Sequence, residues 1–175
     1  LSVRFEVDVP LETALARYEH VARFPMDDAD IWKHCSSEGT TNRIERTEDG
    51  QWRLVSDFGG GGGWTFPNAP MPEGFDGAKY DTVVIRARCR EQSNIRLYLW
   101  EERDALGYAS QSSILPSDGE WHTAVVPYSS FEISSAHRPD PNGKLDPDKV
   151  EAITVGLTSH QSRCVLEVSD VFFVG

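Results

Sequence analysis

Between Gly119 and Gly175 the chain alternates apolar and polar residues three times over, in WHTAVVPYSSF, VEAITVGL and CVLEVSDVFFVG. Polar connections rich in Pro and Gly separate the runs. A period of two sends successive side chains to opposite faces, so each run reads as a half-buried strand. Trp121, Val125, Phe131, Leu145, Val150, Ile153, Val155, Leu157, Leu166, Val168 and Phe172 have the spacing of an inward face. Such a face must be covered, and a second sheet covers it most simply.

The preceding chain offers the strands for that sheet. TNRIERTED, QWRLVSDF, YDTVVIRARC, NIRLYLWEE and LGYASQSSIL are short runs. Turn signals separate them at Asp49-Gly50, Gly59 to Gly63, Pro70-Met71-Pro72, Asp118-Gly119 and Asn142-Gly143. Many short strands with frequent turns predict an all-β fold, a sandwich or barrel. One helix interrupts the pattern. Residues 1–9 alternate as an amphipathic strand, Pro10 suits a first helical position, and LETALARYEHVARF follows with Leu11, Leu15, Tyr18 and Ala22 on one helical face. The expected organisation is a strand–helix lead-in or linker over 1–23 and a single β domain over 24–175. The 175 residues are enough for one real core.

A net charge of −11 argues against nucleic acid as a partner, because phosphate binding needs a basic surface. No apolar run approaches the ~18 residues of a membrane-spanning helix, so no membrane partner is expected, and no signal-peptide pattern is found. Cys35, Cys89 and Cys164 form no CxxC pair, which disfavours zinc. Cys89 and Cys164 fall in strand-like runs, where small buried hydrophobes is the first reading and a disulfide between them the second.

Catalytic signatures are missing. There is no G-x-S-x-G elbow, and the glycine run at 59–63 lacks the GK[ST] ending of a phosphate loop. The five histidines have no metal-ligand spacing, and no pair of acids stands out as a glycosidase dyad. Binding chemistry is better represented. If Ile95, Leu97 and Leu99 face the core, Arg96, Tyr98 and Trp100 share the opposite face. On the strand before, Arg86 and Arg88 also point outward, and pairing of the two strands would join them to the aromatics. Aromatic rings stack on the apolar faces of pyranoses, and Arg suits uronate or sulfate groups. The alternative is that Tyr98 and Trp100 pack beneath a loop or the helix, and that the arginines form a solvated surface. Trp64, just after the glycine run, could sit at a loop tip or plug the end of a sandwich.

Several stretches resemble the jelly-roll, galactose-binding-like carbohydrate-binding modules. WHTAVVPYSSF is similar to their W-x-x-x-x-(I/V)-P-(F/Y)-x-x-F stretch. Leu145-Asp146 with VEAITVGL resembles their LD strand, and LEVSDVFFVG their closing strand. IWKHCSSEG and KYDTVVIRARCREQSNIRLYLWEE resemble the first-strand segment and central strand pair of modules that accompany β-glucanases and bind mixed-linkage β-glucan. The complex I intermediate-associated protein domain has a related pattern. Cys35 and Leu157 stand where the glucan modules carry tyrosines.

The resemblance implies a jelly-roll β-sandwich. It implies a non-catalytic, secreted module that ties a neighbouring glycoside hydrolase or polysaccharide lyase domain to a polysaccharide, a β-glucan or another plant or algal glycan. His137, with Arg138 and Asp140, lies in the loop where such modules carry polar ligand contacts. Their structural calcium ion would here fall to Asp27, Asp28 and Asp170, although aspartates before a strand are also ordinary turn formers. The alternative function is a structural or protein-interaction sandwich, serving as a spacer or assembly factor without sugar binding.

Overall fold

A computed structural model describes residues 5–175. Its strands are β1 (Glu6–Val7), β2 (Val21–Arg23), β3 (Thr41–Arg46), β4 (Trp52–Asp57), β5 (Gly63–Thr65), β6 (Asn68–Pro70), β7 (Thr82–Cys89) and β8 (Ser93–Glu102), continuing with β9 (Leu106–Ser110), β10 (His122–Pro127), β11 (Phe131–Ala136), β12 (Ala152–Ser159) and β13 (Arg163–Val174). They form two antiparallel sheets. The first runs β1-β10-β7-β13-β4-β3, with β2 also on β13; the second runs β11-β9-β8-β12-β5, with β6 also on β12. The inner faces close on one core that includes Trp52, Leu54, Ile85, Leu97, Leu99, Tyr108, Ile153 and Phe173. This is the expected all-β sandwich.

Alternation placed most core residues correctly. Ile95, Leu97 and Leu99 on β8 and Val83, Ile85, Ala87 and Cys89 on β7 are all inside. Three expected inward residues are not. Trp121 and Val125 share the outer parity of β10, whose inward residues are Ala124 and Val126. Phe172 is turned out by a β-bulge: Val168 pairs with Ala87 but Asp170 with Arg86, leaving Ser169 extra. Inward positions therefore shift from Leu166 and Val168 to Val171 and Phe173. An extra residue reverses the face of everything after it.

The helix α1 (Leu11–Leu15) has five residues, far fewer than expected. Residues 21–23 are strand rather than helix because β13 has a vacant edge there. Its β4 partner reaches only Val168, and β2 pairs with Phe172 to Val174. Backbone groups on a buried strand need partners, and that need overrides local helical pattern. The lead-in is thus woven into the sandwich in its described part. β1 pairs with β10, and Ala14 of α1 packs on Val84, Val125 and Val174 on the outer face of the first sheet. The boundary at residue 24 does not separate 6–23 from that sheet. Residues 1–4 of the expected first strand lie outside the described residues.

The expected pairing of β7 with β8 does not occur. Cys89 and Ser93 are both buried, and the three residues between them carry the chain from one sheet to the other. All three cysteines are free thiols; Cys89 and Cys164 are buried and Cys35 is exposed. Cys89 and Cys164 both lie against the Ser93 hydroxyl, and burial pushes the Cys89 thiol up to about 12. They behave as small core residues, the first of the two readings. No described helix is long and apolar enough to cross a membrane.

Candidate functional site

The outer face of the second sheet carries a groove of about 590 Å³. Its floor and one wall are aromatic. Tyr98 and Trp100 come from β8, where the core-facing parity of Ile95, Leu97 and Leu99 forces them outward. Trp64 and Phe66 come from the segment after the glycine run, held by pairing of β5 and β6 with β12. The rings form a continuous strip. Trp64 and Phe66 stack at 6.0 Å between centroids, Phe66 and Tyr98 tilt at 5.1 Å, and Tyr98 and Trp100 stack at 5.8 Å. Trp64 is 38% exposed, whereas Trp100 is 8% exposed and lies deepest. The Trp100 indole Nε1 donates to Thr154 Oγ1 at 2.9 Å.

Polar groups close the groove at one end. A backbone bridge from Lys33 to Asn68 brings Lys33, His34 and Cys35 to the edge. Lys33 Nζ donates to Asp104 Oδ2 at 2.7 Å, and Asn68 Nδ2 donates to Asp104 Oδ1 at 3.0 Å. Asn68 is held in turn by Arg103, whose Nε donates to Asn68 Oδ1 and whose second nitrogen donates to Asn68 O at 3.1 Å. The Lys33 hydrogen bond, opposed by some burial, keeps the Asp104 carboxyl below the usual range, so it is an anion at neutral pH. Asp104 also has φ +65°, a left-handed conformation a non-glycine residue adopts at a cost. Ser135 and His137 line the groove from the end of β11, where the His137 N–H donates to Ala105 O at 2.7 Å.

Of the residues singled out in the sequence, Trp64, Tyr98, Trp100 and His137 therefore meet in one groove. Arg96 flanks it. Its guanidinium lies 5.5 Å from the Tyr98 ring centroid and its Nε donates to Ser110 O at 2.8 Å. Arg86 and Arg88 do not join them, because β7 and β8 belong to different sheets. They lie on the outer face of the first sheet, 4.7 and 4.8 Å from the Trp121 ring centroid. Arg88 also pairs with Glu167 at 3.0 Å, and Arg86 donates to Ser169 Oγ at 3.2 Å. That surface is internally satisfied.

The aspartates offered for calcium do not assemble. Asp28 accepts the Asp30 N–H at 2.9 Å, as a turn former does, and Asp170 pairs with Arg23 at 3.3 Å. Among the described residues no cluster of three or more His, Cys, Asp or Glu side chains could hold a metal. The residues present do not fit a calcium site.

Phe66, Lys33, His34, Asn68, Asp104 and Thr158 complete the groove. The Trp64/Phe66/Asn68 alternation is visible in the sequence, but Lys33 and Asp104 lie 71 positions apart and only folding joins them. Leu157, set against a tyrosine by the resemblance, is buried in the core, and its neighbour Thr158 faces the groove. Asp104 is the one carboxylate among the described lining residues, and Lys33 and Asn68 already engage it. Hydrolysis of a glycosidic bond ordinarily uses two carboxylates. The groove is equipped to hold a flat, hydroxylated molecule by stacking and hydrogen bonding.

Known structures share this architecture. A family 11 carbohydrate-binding module from Clostridium thermocellum, in complex with a β-1,3-1,4-mixed-linked tetrasaccharide, is similar over 89% of this chain and 95% of its own, with a TM-score of 0.67 and 20% identity. The family 11 module of the cellulosomal cellulase Lic26A-Cel5E of Clostridium thermocellum is similar over 90% and 96%, with a TM-score of 0.65 and 19% identity. The family 30 module of a second cellulosomal cellulase of Clostridium thermocellum, Cel9D-Cel44B, is similar over 89% and 98%, with a TM-score of 0.58 and 11% identity. The chain has the jelly-roll β-sandwich fold of these modules. No protein-family profile and no curated protein sequence matches it.

Proposed function

We propose that the protein is a non-catalytic carbohydrate-binding module whose ligand lies in the groove on the second sheet. One observation carries this reading: Trp64, Phe66, Tyr98 and Trp100 form an unbroken strip of rings along a groove that ends in the Lys33–Asp104–Asn68 network. Successive sugar rings stack on such a strip, while fixed charges and amides bond their hydroxyls. The jelly-roll modules of similar fold, one holding a mixed-linkage tetrasaccharide, support the same reading. The ligand class is a polysaccharide, with β-glucan the first to try. In that role the module works outside the cell beside a polysaccharide-degrading catalytic domain, which it holds at high local concentration on the polymer.

Affinity gel electrophoresis tests the proposal, with mixed-linkage β-glucan, xyloglucan, agar and alginate in separate gels. Retardation of the wild type in at least one gel is expected, with Tyr98→Ala and Trp64→Ala each reducing it about tenfold in affinity. Folded protein that migrates freely in every gel sinks the proposal and leaves the spacer or assembly role in its place.

A further inference from the structure

Glycine inside a strand weakens it, and where it occurs something usually needs the space of the missing side chain. Gly107 of β9 and Gly156 of β12 flank β8 on its two sides. Neither has the positive φ that would call for glycine on conformational grounds. Gly107 pairs directly with Trp100, and Gly156 with Arg96, so both open toward the groove face.

Aromatic rings fill the space. A Cβ on Gly107 would stand 2.7 Å from both Cε3 and Cζ3 of Trp100 and 3.1 Å from its Cδ2. A Cβ on Gly156 would stand 2.6 Å from Cδ1 of Phe66 and 2.2 Å from the Thr65 carbonyl oxygen. The benzo end of the Trp100 indole thus rests on β9, while its Nε1 reaches Thr154 on β12. The indole lies flat across three strands, clamped at both ends.

We infer that Gly107 and Gly156 are positioning residues that seat Trp100 and Phe66 low on the sheet, and that this seating sets the depth of the groove in which a sugar chain stacks. The binding half of the inference rests on the function proposed above; the seating half does not. An added methyl at 107 meets only the indole among its nearest atoms, so it lifts the ring into the groove. An added methyl at 156 meets backbone and disrupts the β5–β12 pairing as well, so Gly107 is the cleaner test.

Gly107→Ala, Trp100→Ala and the double variant form the experiment. Thermal unfolding is expected to show Gly107→Ala lowering Tm in the wild-type background but not in the Trp100→Ala background. Equal lowering in both overturns the seating. If Gly107→Ala alone does not fold, a folded double variant supports the seating and an unfolded one overturns it. In affinity gels, folded Gly107→Ala is expected to bind about tenfold more weakly than wild type on the glycan that retards wild type. Wild-type retardation of Gly107→Ala overturns the binding half. A wild type that no glycan retards defeats the proposed function and the binding half together, and the Tm comparison alone then decides the seating.

Discussion

Nδ1 of His122 lies 2.5 Å from Oδ1 of Asp8, which ties the residue following β1 to the start of β10. The other ring nitrogen lies 2.8 Å from Asp118, so the nearly buried imidazole stands between two carboxylates. Burial opposes its protonation, but the hydrogen bonds and charges of Asp8 and Asp118 outweigh that, and the His122 pKa stands above its ordinary 6.5. A raised folded-state pKa gives stability that is fully present below the unfolded value and lost as pH rises through the folded value. Asp118 has the opposite sign. Its pKa is lowered from 3.8, first by the Glu120 N–H and then by His122, so its contribution is lost as pH falls through that lowered value. We predict that the Tm difference between wild type and His122→Gln is largest below pH 6.5 in the weakly acidic range and shrinks toward alkaline pH. A difference independent of pH across that range would show that the clamp does not act through the imidazolium.

Cys35 gives a direct probe of the groove. It is the exposed thiol among three, and it lines the groove beside Lys33. Burial and then the Asp104 charge raise its pKa, so it should react more slowly than a free thiol but remain reactive at mildly alkaline pH. One maleimide label per folded chain is expected by mass spectrometry, with Cys89 and Cys164 modified only on unfolding. The label should abolish retardation in glycan gels, because it occupies the space a sugar would use. Unaltered retardation of fully labelled protein would place the ligand elsewhere.

Arg86 and Arg88 separate the two faces of the sandwich. Each stacks on Trp121 on the first sheet, opposite the groove. Replacing either with Ala should leave glycan retardation unchanged and cost about 1 kcal/mol of stability, the scale of a partly exposed cation–π contact with a surface ion pair or hydrogen bond. Urea titration checks the stability and affinity electrophoresis the binding. A loss of binding in these variants would move the site to the first sheet.

Val84 reports on the helix. Its side chain is fully buried on the outer face of β7, with Ala14, Val125 and Val174 around it. Val84→Ala is expected to cost about 2 kcal/mol, the worth of a buried aliphatic side chain plus part of a cavity. A lowered urea midpoint with an unchanged m-value would confirm that segment 6–19 is part of the same cooperative unit. A null effect would mean that α1 contributes no packing there.

How much was legible in the residues differs between fold and site. Ile95, Leu97 and Leu99 declare the inner face of β8 by alternation, and from that follows the outward display of Tyr98 and Trp100. Trp64 announces itself by following a glycine run. Lys33, Asn68 and Asp104 do not, because an ion pair between positions 71 apart leaves no local pattern. Gly107 and Gly156 are equally silent, since a ring resting on a strand is a cross-strand contact.

The errors have the same origin. Phe172 alternates with Val168 in the sequence, yet the bulge at Ser169 turns it outward. Residues 11–24 carry a helical pattern, yet the open edge of β13 draws Val21–Arg23 into a sheet. Arg86 and Tyr98 seem to belong together, yet the corner between Cys89 and Ser93 puts them on opposite sheets. Side-chain period is a local property, and the sequence by itself determined it: the strands, their inward faces and the all-β class. Register, bulges and the choice of sheet depend on which backbone groups find partners across the chain. Only the tertiary structure decided those, and with them which outward side chains meet to form the groove.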